Sequence, residues 1–152
     1  EEFLEYLRNF KFNGDIWAAP EGTIIFPNEP VITVRANILE AQLIETYLLL
    51  SINYQSLIAT KTKRIVEAAK GRAVMEFGSR RAQGESAALL GARSAYIAGA
   101  VGTACAMADV RYGVPALGTM AHSWVQTFET EYEAFVTYCK TYPTNATLLV
   151  DT

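Results

Sequence analysis

From Ile38 to Lys70 the chain carries neither glycine nor proline, and its apolar side chains return every three to four positions. A breaker-free run with that period predicts one long helix, or one helix broken once. Glu40 and Glu45 lie near its start and Lys61-Thr62-Lys63-Arg64 near its end, the charge order that a helix dipole favours. The segments on either side obey different rules. Before it, Asn13-Gly14, Pro20-Glu21-Gly22 and Pro27-Asn28-Glu29-Pro30 punctuate the short β-rich stretches Asp15–Ala19, Thr23–Phe26 and Val31–Val34. That pattern predicts a small antiparallel meander. Ahead of it, Phe3, Leu4, Leu7 and Phe10 have helical spacing.

After Gly71 the pattern alternates. Strands are predicted at 73–77, 114–118 and 147–150, and helices at 86–98, 103–112 and 129–142. Strands alternating with helices argue for an α/β fold built of βαβ units around a parallel sheet. The chain therefore divides into 1–37, a β-rich part of a smaller domain; 38–70, a long connecting helix; and 71–152, the first part of the α/β region. Glu1 stands where a start methionine would, and the strand predicted over Thr147–Val150 ends with nothing following it. A strand buried on both faces needs neighbours, so the expectation is an internal fragment of a longer protein.

Composition narrows the function classes. With 152 residues, 51% of them apolar, one sizeable core is affordable. A net charge of −3 with mixed signs offers no footprint for nucleic acid or an anionic membrane. The aliphatic run Tyr47–Ile52 is far short of the roughly 20 residues that a bilayer demands, and no signal sequence opens the chain. Cys105 and Cys139 make no disulfide framework, and with a single histidine they form no zinc cluster, so no metal site is predicted. These readings together point to a cytoplasmic protein.

In a parallel sheet the loops that follow the strands share one face, where α/β folds carry their chemistry. Phe77-Gly78-Ser79-Arg80-Arg81, Gly118-Thr119-Met120-Ala121-His122 and Asp151-Thr152 all fall there. Gly78 permits a sharp turn, and the adjacent guanidiniums of Arg80 and Arg81 suit phosphate or carboxylate. Phe77 offers a face to a flat ring. The bland alternative is an exposed arginine pair bridged to Glu85 or to nothing. His122 is the only histidine. A neutral imidazole keeps one ring nitrogen as base or nucleophile, and Asp151 is placed to orient the other nitrogen by the logic of a triad. A lone histidine is often purely structural, but the hydroxyls of Thr119 and Ser123 around it favour catalysis. Glu76, ending an otherwise apolar strand, needs a partner, for which Arg80 or Arg81 is at hand. The glycines of 99–103 lack the Gly-Lys-Ser ending of a phosphate loop. The acidic and aromatic run 128–135 reads as an amphipathic helix with a solvated face.

These motifs resemble the nicotinate phosphoribosyltransferase family, of the type II phosphoribosyltransferases, over nearly the whole chain. The resemblance runs through Phe3-Leu4-Glu5-Tyr6-Leu7, Pro20-Glu21-Gly22-Thr23, Ile52–Lys61, Glu76–Gly84, Gly118–Val125 and Leu148–Thr152, in the family's order. It implies an irregular α/β barrel joined to a smaller, partly β domain. The implied reaction moves 5-phosphoribosyl from phosphoribosyl pyrophosphate to the ring nitrogen of nicotinate, releasing pyrophosphate, with ATP hydrolysis coupled through a phosphohistidine and Mg²⁺ in attendance. The resemblance makes His122 the phosphorylated histidine and Asp151 the acid beside it. Thr119, Phe77 and Arg80, with the adjoining Arg81, become substrate contacts. It further implies a homodimer, and an isolated 152-residue piece that is inactive because the family's other substrate residues lie elsewhere. The loop Val101–Cys105 is less polar than in many relatives. Nicotinamide specificity, or a non-catalytic barrel module for dimerisation or ligand sensing, are the competing readings.

Overall fold

The computed structural model describes residues 1–150. Helix α1 (Glu2–Arg8) leads into the hairpin of β1 (Asp15–Ala18) and β2 (Ile32–Arg35), which pair antiparallel with Asp15 opposite Arg35. Across that register the Arg35 guanidinium grips the Asp15 carboxylate at 2.5 Å and lies over the Trp17 ring. The expected middle strand is absent: Thr23–Phe26 lies between turns closed by Thr23 N–H to Pro20 O and Glu29 N–H to Phe26 O. Pro27 and Pro30 cannot donate to a ladder, so the meander shrinks to a two-stranded hairpin.

Helix α2 spans Ile38–Ala68 without a break. Asn37 caps it, its Oδ1 accepting from Glu40 N–H at 3.0 Å. The Glu40 carboxylate in return accepts from the Asn37 side chain at 2.7 Å and from Asn13 N–H at 3.0 Å. The exchange resembles a capping box, but the Glu40 carboxylate takes the Asn37 side-chain amide and the Asn13 backbone N–H rather than the backbone N–H of the cap residue. It ties the hairpin to the helix start and leaves the buried Glu40 with its charge satisfied. The Asn13 backbone donor, with help from the Asn13 and Asn37 side chains, holds its carboxyl below the ordinary 4.5 against the cost of burial.

The second half is βαβ in kind, with shorter strands than expected. β3 is Met75–Glu76 and β4 is Gly102–Thr103, paired in parallel, and Ala116 forms a parallel bridge to Thr103. The strand expected at 114–118 is thus one bridge long, and that expected at 73–77 two residues long. The helix expected from Thr103 begins only at Ala106, because Thr103 is held in the sheet. Helix α3 (Glu85–Ile97) crosses from β3 to β4, and α4 (Ala106–Tyr112) crosses from β4 to the bridge. α2 packs along α3, whose Leu89, Ala92 and Ala95 are buried, and Leu89 and Ala92 join Ala108 and Val114 in the core. Gly102 is required by this packing: a Cβ there would stand 2.5 Å from Pro115 O and from the Leu117 side chain. Glu21, in the turn after β1, holds Arg93 of α3 through a two-pronged ion pair, one prong at 2.6 Å. That bond draws the Glu21 carboxyl below its ordinary value and raises the Arg93 guanidinium.

Two short helices complete the described chain, α5 (His122–Val125) and α6 (Glu131–Thr141). Trp124 meets Phe128 edge-on at 4.9 Å and Tyr138 of α6 at 5.8 Å between ring centroids. Thr147–Val150, expected as a strand, is unpaired: among the described residues no strand pairs with it. Among the described residues no helix is long and apolar enough to cross a membrane.

Candidate active site

The site is assembled by the parallel register. Val101 N–H bonds Val74 O at 2.8 Å and Ala104 N–H bonds Glu76 O at 3.0 Å, joining β3 to β4. On the other side Thr103 N–H bonds Pro115 O at 3.0 Å, and Leu117 N–H bonds Thr103 O at 2.8 Å. Three parallel segments therefore end side by side, and the chain leaves them at Phe77, Ala104 and Gly118. Two of the three predicted site segments, Phe77–Arg81 and Gly118–His122, begin at the same end of this sheet. The third does not enter the comparison, because Asp151 lies outside the described residues.

After β3 the chain curls at once. Arg81 N–H bonds Gly78 O at 2.8 Å and Ala82 N–H bonds Ser79 O at 3.1 Å, making one 3-10 turn over Ser79–Arg81. The turn carries Phe77, Arg80 and Arg81, all exposed; Phe77 shows 42% of its surface. Among the described residues neither arginine enters an ion pair, so of the bland alternative the bridge to Glu85 is not made, while an exposed, unbridged pair is what is seen; their donor forks are open to a ligand. Ser79 Oγ is buried beside them, with no hydrogen-bond partner among the described residues.

After the bridge, Gly118 and Thr119 are exposed and Met120 is buried, pinning the loop before it turns into α5. Thr119 Oγ1 points to Met120 O at a long 3.3 Å. His122 is the first residue of α5 and is exposed; the edge-on packing of Trp124, two residues on, anchors its helix to α6. Exposed imidazole, hydroxyl, aromatic face and paired guanidiniums suit a flat anionic ring and phosphates. They also suit transfer to a nitrogen nucleophile.

Glu76 corrects the sequence reading. Its carboxylate pairs with neither Arg80 nor Arg81. One oxygen accepts the Gly78 N–H, and the other accepts the Thr103 hydroxyl at 2.6 Å. Thr103 is fully buried, and its Oγ1 accepts in turn from Cys105 N–H at 3.0 Å. Inward donors at the strand end cost no ordering of a long side chain, whereas the arginines keep their hydration by staying out. Thr103 is the residue that sequence reasoning missed. Its only signal was a small-residue pair, Gly102-Thr103, inside a glycine-containing stretch. No three His, Cys, Asp or Glu side chains among the described residues gather as a metal-ion cluster.

Residues 1–53 match the family model of the nicotinate phosphoribosyltransferase N-terminal domain. The chain is 53% identical over 152 residues to a nicotinate phosphoribosyltransferase of Mycobacterium tuberculosis, covering all of this chain and 33% of that one. It is 45% identical to a nicotinate phosphoribosyltransferase of Bacillus subtilis, covering all of this chain and 36% of that one. The crystal structure of human nicotinic acid phosphoribosyltransferase superposes with a TM-score of 0.77 at 37% identity, over 83% of this chain and 26% of that one. The chain thus spans about a third of the length of the relatives it matches. By sequence and by fold, the chain belongs to the nicotinate phosphoribosyltransferase family.

Proposed function

We propose that this chain is the part of a nicotinate phosphoribosyltransferase that carries the phosphorylated histidine and one wall of the pyridine site. The observation that supports this best is the parallel register of β3, β4 and Ala116. It starts the Phe77–Arg81 and Gly118–His122 loops from one end of one sheet, with their polar groups exposed. In this reading the nicotinate ring rests on Phe77, Arg80 and Arg81 take phosphoryl or carboxylate oxygens, and Thr119 contacts the ring substituent. The pyridine nitrogen attacks the anomeric carbon of phosphoribosyl pyrophosphate as the bond to pyrophosphate breaks. The products are nicotinate mononucleotide and pyrophosphate, a step in NAD biosynthesis. In the coupled half-reaction a ring nitrogen of His122 takes the γ-phosphoryl of ATP, releasing ADP; neighbouring cationic donors offset the charge that spreads over the transferring group. Asp151 orients the imidazole. Mg²⁺ would come to the site on the phosphates of phosphoribosyl pyrophosphate and of ATP, as that ion commonly does.

The sheet seen here is, in this proposal, the first arc of the irregular α/β barrel, in a cytoplasmic homodimer. The 152-residue chain alone is inactive, since the rest of the pyridine and phosphate contacts come from sequence beyond it. The test is product formation by an enzyme of the relatives' full length carrying this chain, supplied with phosphoribosyl pyrophosphate, Mg²⁺, ATP and either nicotinate or nicotinamide. Product from nicotinate, with ATP stimulation abolished in His122→Ala, is expected. Product from nicotinamide alone would overturn the substrate, and no product from either would overturn the enzyme reading.

A further inference from the structure

The groups proposed to touch substrate all project from loops, and a loop positions substrate only as well as it is itself held. β3 contributes only two residues to the sheet, so its ladder is a weak brace for the turn that follows. The stronger brace is a side chain. Glu76, half-buried at the last position of β3, bonds forward to Gly78 N–H and sideways to the hydroxyl of Thr103. The forward bond folds the chain back at Gly78, where a Cβ would stand 2.7 Å from the same carboxylate oxygen, so a larger residue there would push that carboxylate out of place. The sideways bond reaches a residue whose backbone is clamped to Pro115 and Leu117 and whose hydroxyl also holds Cys105 N–H. One carboxylate thereby ties together the three chain segments that leave the sheet: the turn carrying Phe77 and Arg80, the Ala104-Cys105 turn, and the strand that runs on to Thr119 and His122. Both oxygens are engaged, one by each segment, so the side chain is held at two points and leaves no buried donor unmet at either.

We propose that Glu76, acting through Thr103, is the positioning residue of the pyridine site, setting where Phe77 and Arg80 stand relative to the loop that bears Thr119 and His122. This rests on reading Phe77 and Arg80 as substrate contacts. Glu76 itself touches no substrate. Its contribution is to keep the aromatic face and the guanidinium at a fixed distance from the nucleophile's loop, a kind of placement whose loss by about 1 Å can cost on the order of 100-fold in rate.

The experiment compares Glu76→Ala, Glu76→Gln, Thr103→Val and Phe77→Ala in the full-length enzyme, reading KM for nicotinate, kcat and the thermal midpoint. Glu76→Ala and Thr103→Val are expected to raise KM for nicotinate about ten-fold or more, with a smaller change in kcat, as lost substrate placement should. Glu76→Gln should recover most of that loss, because its amide oxygen still accepts from Gly78 and its amide nitrogen still reaches Thr103 Oγ1. A lowered midpoint with KM unchanged in both Glu76→Ala and Thr103→Val, while Phe77→Ala raises KM, overturns the positioning role and leaves the site reading intact. An unchanged KM in Phe77→Ala removes the site reading and the positioning role together. Equal losses in Glu76→Gln and Glu76→Ala would assign the effect to charge and also overturn the proposal. Should Glu76→Ala not fold, Thr103→Val against Glu76→Gln decides alone.

Discussion

The exposed positions of Phe77, Arg80, Arg81, Thr119 and His122 beyond the sheet's end follow the sequence expectation, because each is a chemically marked residue soon after an apolar run. Their supports were not legible in the sequence. Thr103 has nothing in its surroundings in sequence to distinguish it from any strand threonine, and only the pairing of β3 with β4 brings it under Glu76. Glu76 was visible as an acid in need of a partner, yet the nearest cations in sequence are not the ones it meets. A bond across 27 positions cannot be read from local spacing. The residue scale also sets the tightest packing test. Gly102→Ala would drive a Cβ to 2.5 Å from the carbonyl of Pro115, a backbone atom that cannot swing aside. We expect it to destabilise the protein by about 1–3 kcal/mol, the usual cost of overpacking, measurable as a lowered urea midpoint at unchanged slope.

At the scale of elements, α2 was the clearest expectation, and it is present as Ile38–Ala68, two residues shorter at its C-terminus than the breaker-free run. Its period survives because one face packs along α3 while the absence of glycine and proline lets the backbone ladder continue. What started it was less plain: Asn37 and Glu40 form the cap, and Asn13 of the preceding loop completes it. Asn37→Ala should cost about 0.5–2 kcal/mol, seen as a lower thermal midpoint, while Asn37→Ser should recover most of it. The strands fared worse than the helix. Thr23–Phe26 and Thr147–Val150 have β-rich composition but, among the described residues, no strand to pair with, and a strand exists only with its neighbour.

At the scale of the whole molecule, two carboxylates join the hairpin region to the helical half: Glu21 to Arg93, and Glu40 between Asn13 and the start of α2. Both carboxyls lie below their ordinary 4.5 in the folded protein. A carboxyl with a depressed folded value contributes stability above its unfolded value and loses it as pH falls through the folded one. Stability should therefore be level above pH 5 and fall progressively below about pH 4.5. Glu21→Gln should flatten part of that acid limb in a series of thermal melts. Glu21 is well exposed, with 60% of its side chain open to water, so its share at neutral pH is small, at most about 1 kcal/mol.

Periodicity and breakers alone determined the order of helix and loop and the α/β class, since those properties depend on residues a few positions apart. Motif order alone determined the family. Only the tertiary structure decided that a meander would be a hairpin, that two predicted strands would shrink to a pair of residues and a single bridge, and that Glu76 would turn away from the arginines to Thr103. Each of these depends on hydrogen-bond partners distant in sequence. A buried acid bonds whatever donors the packed sheet brings within about 3 Å of it.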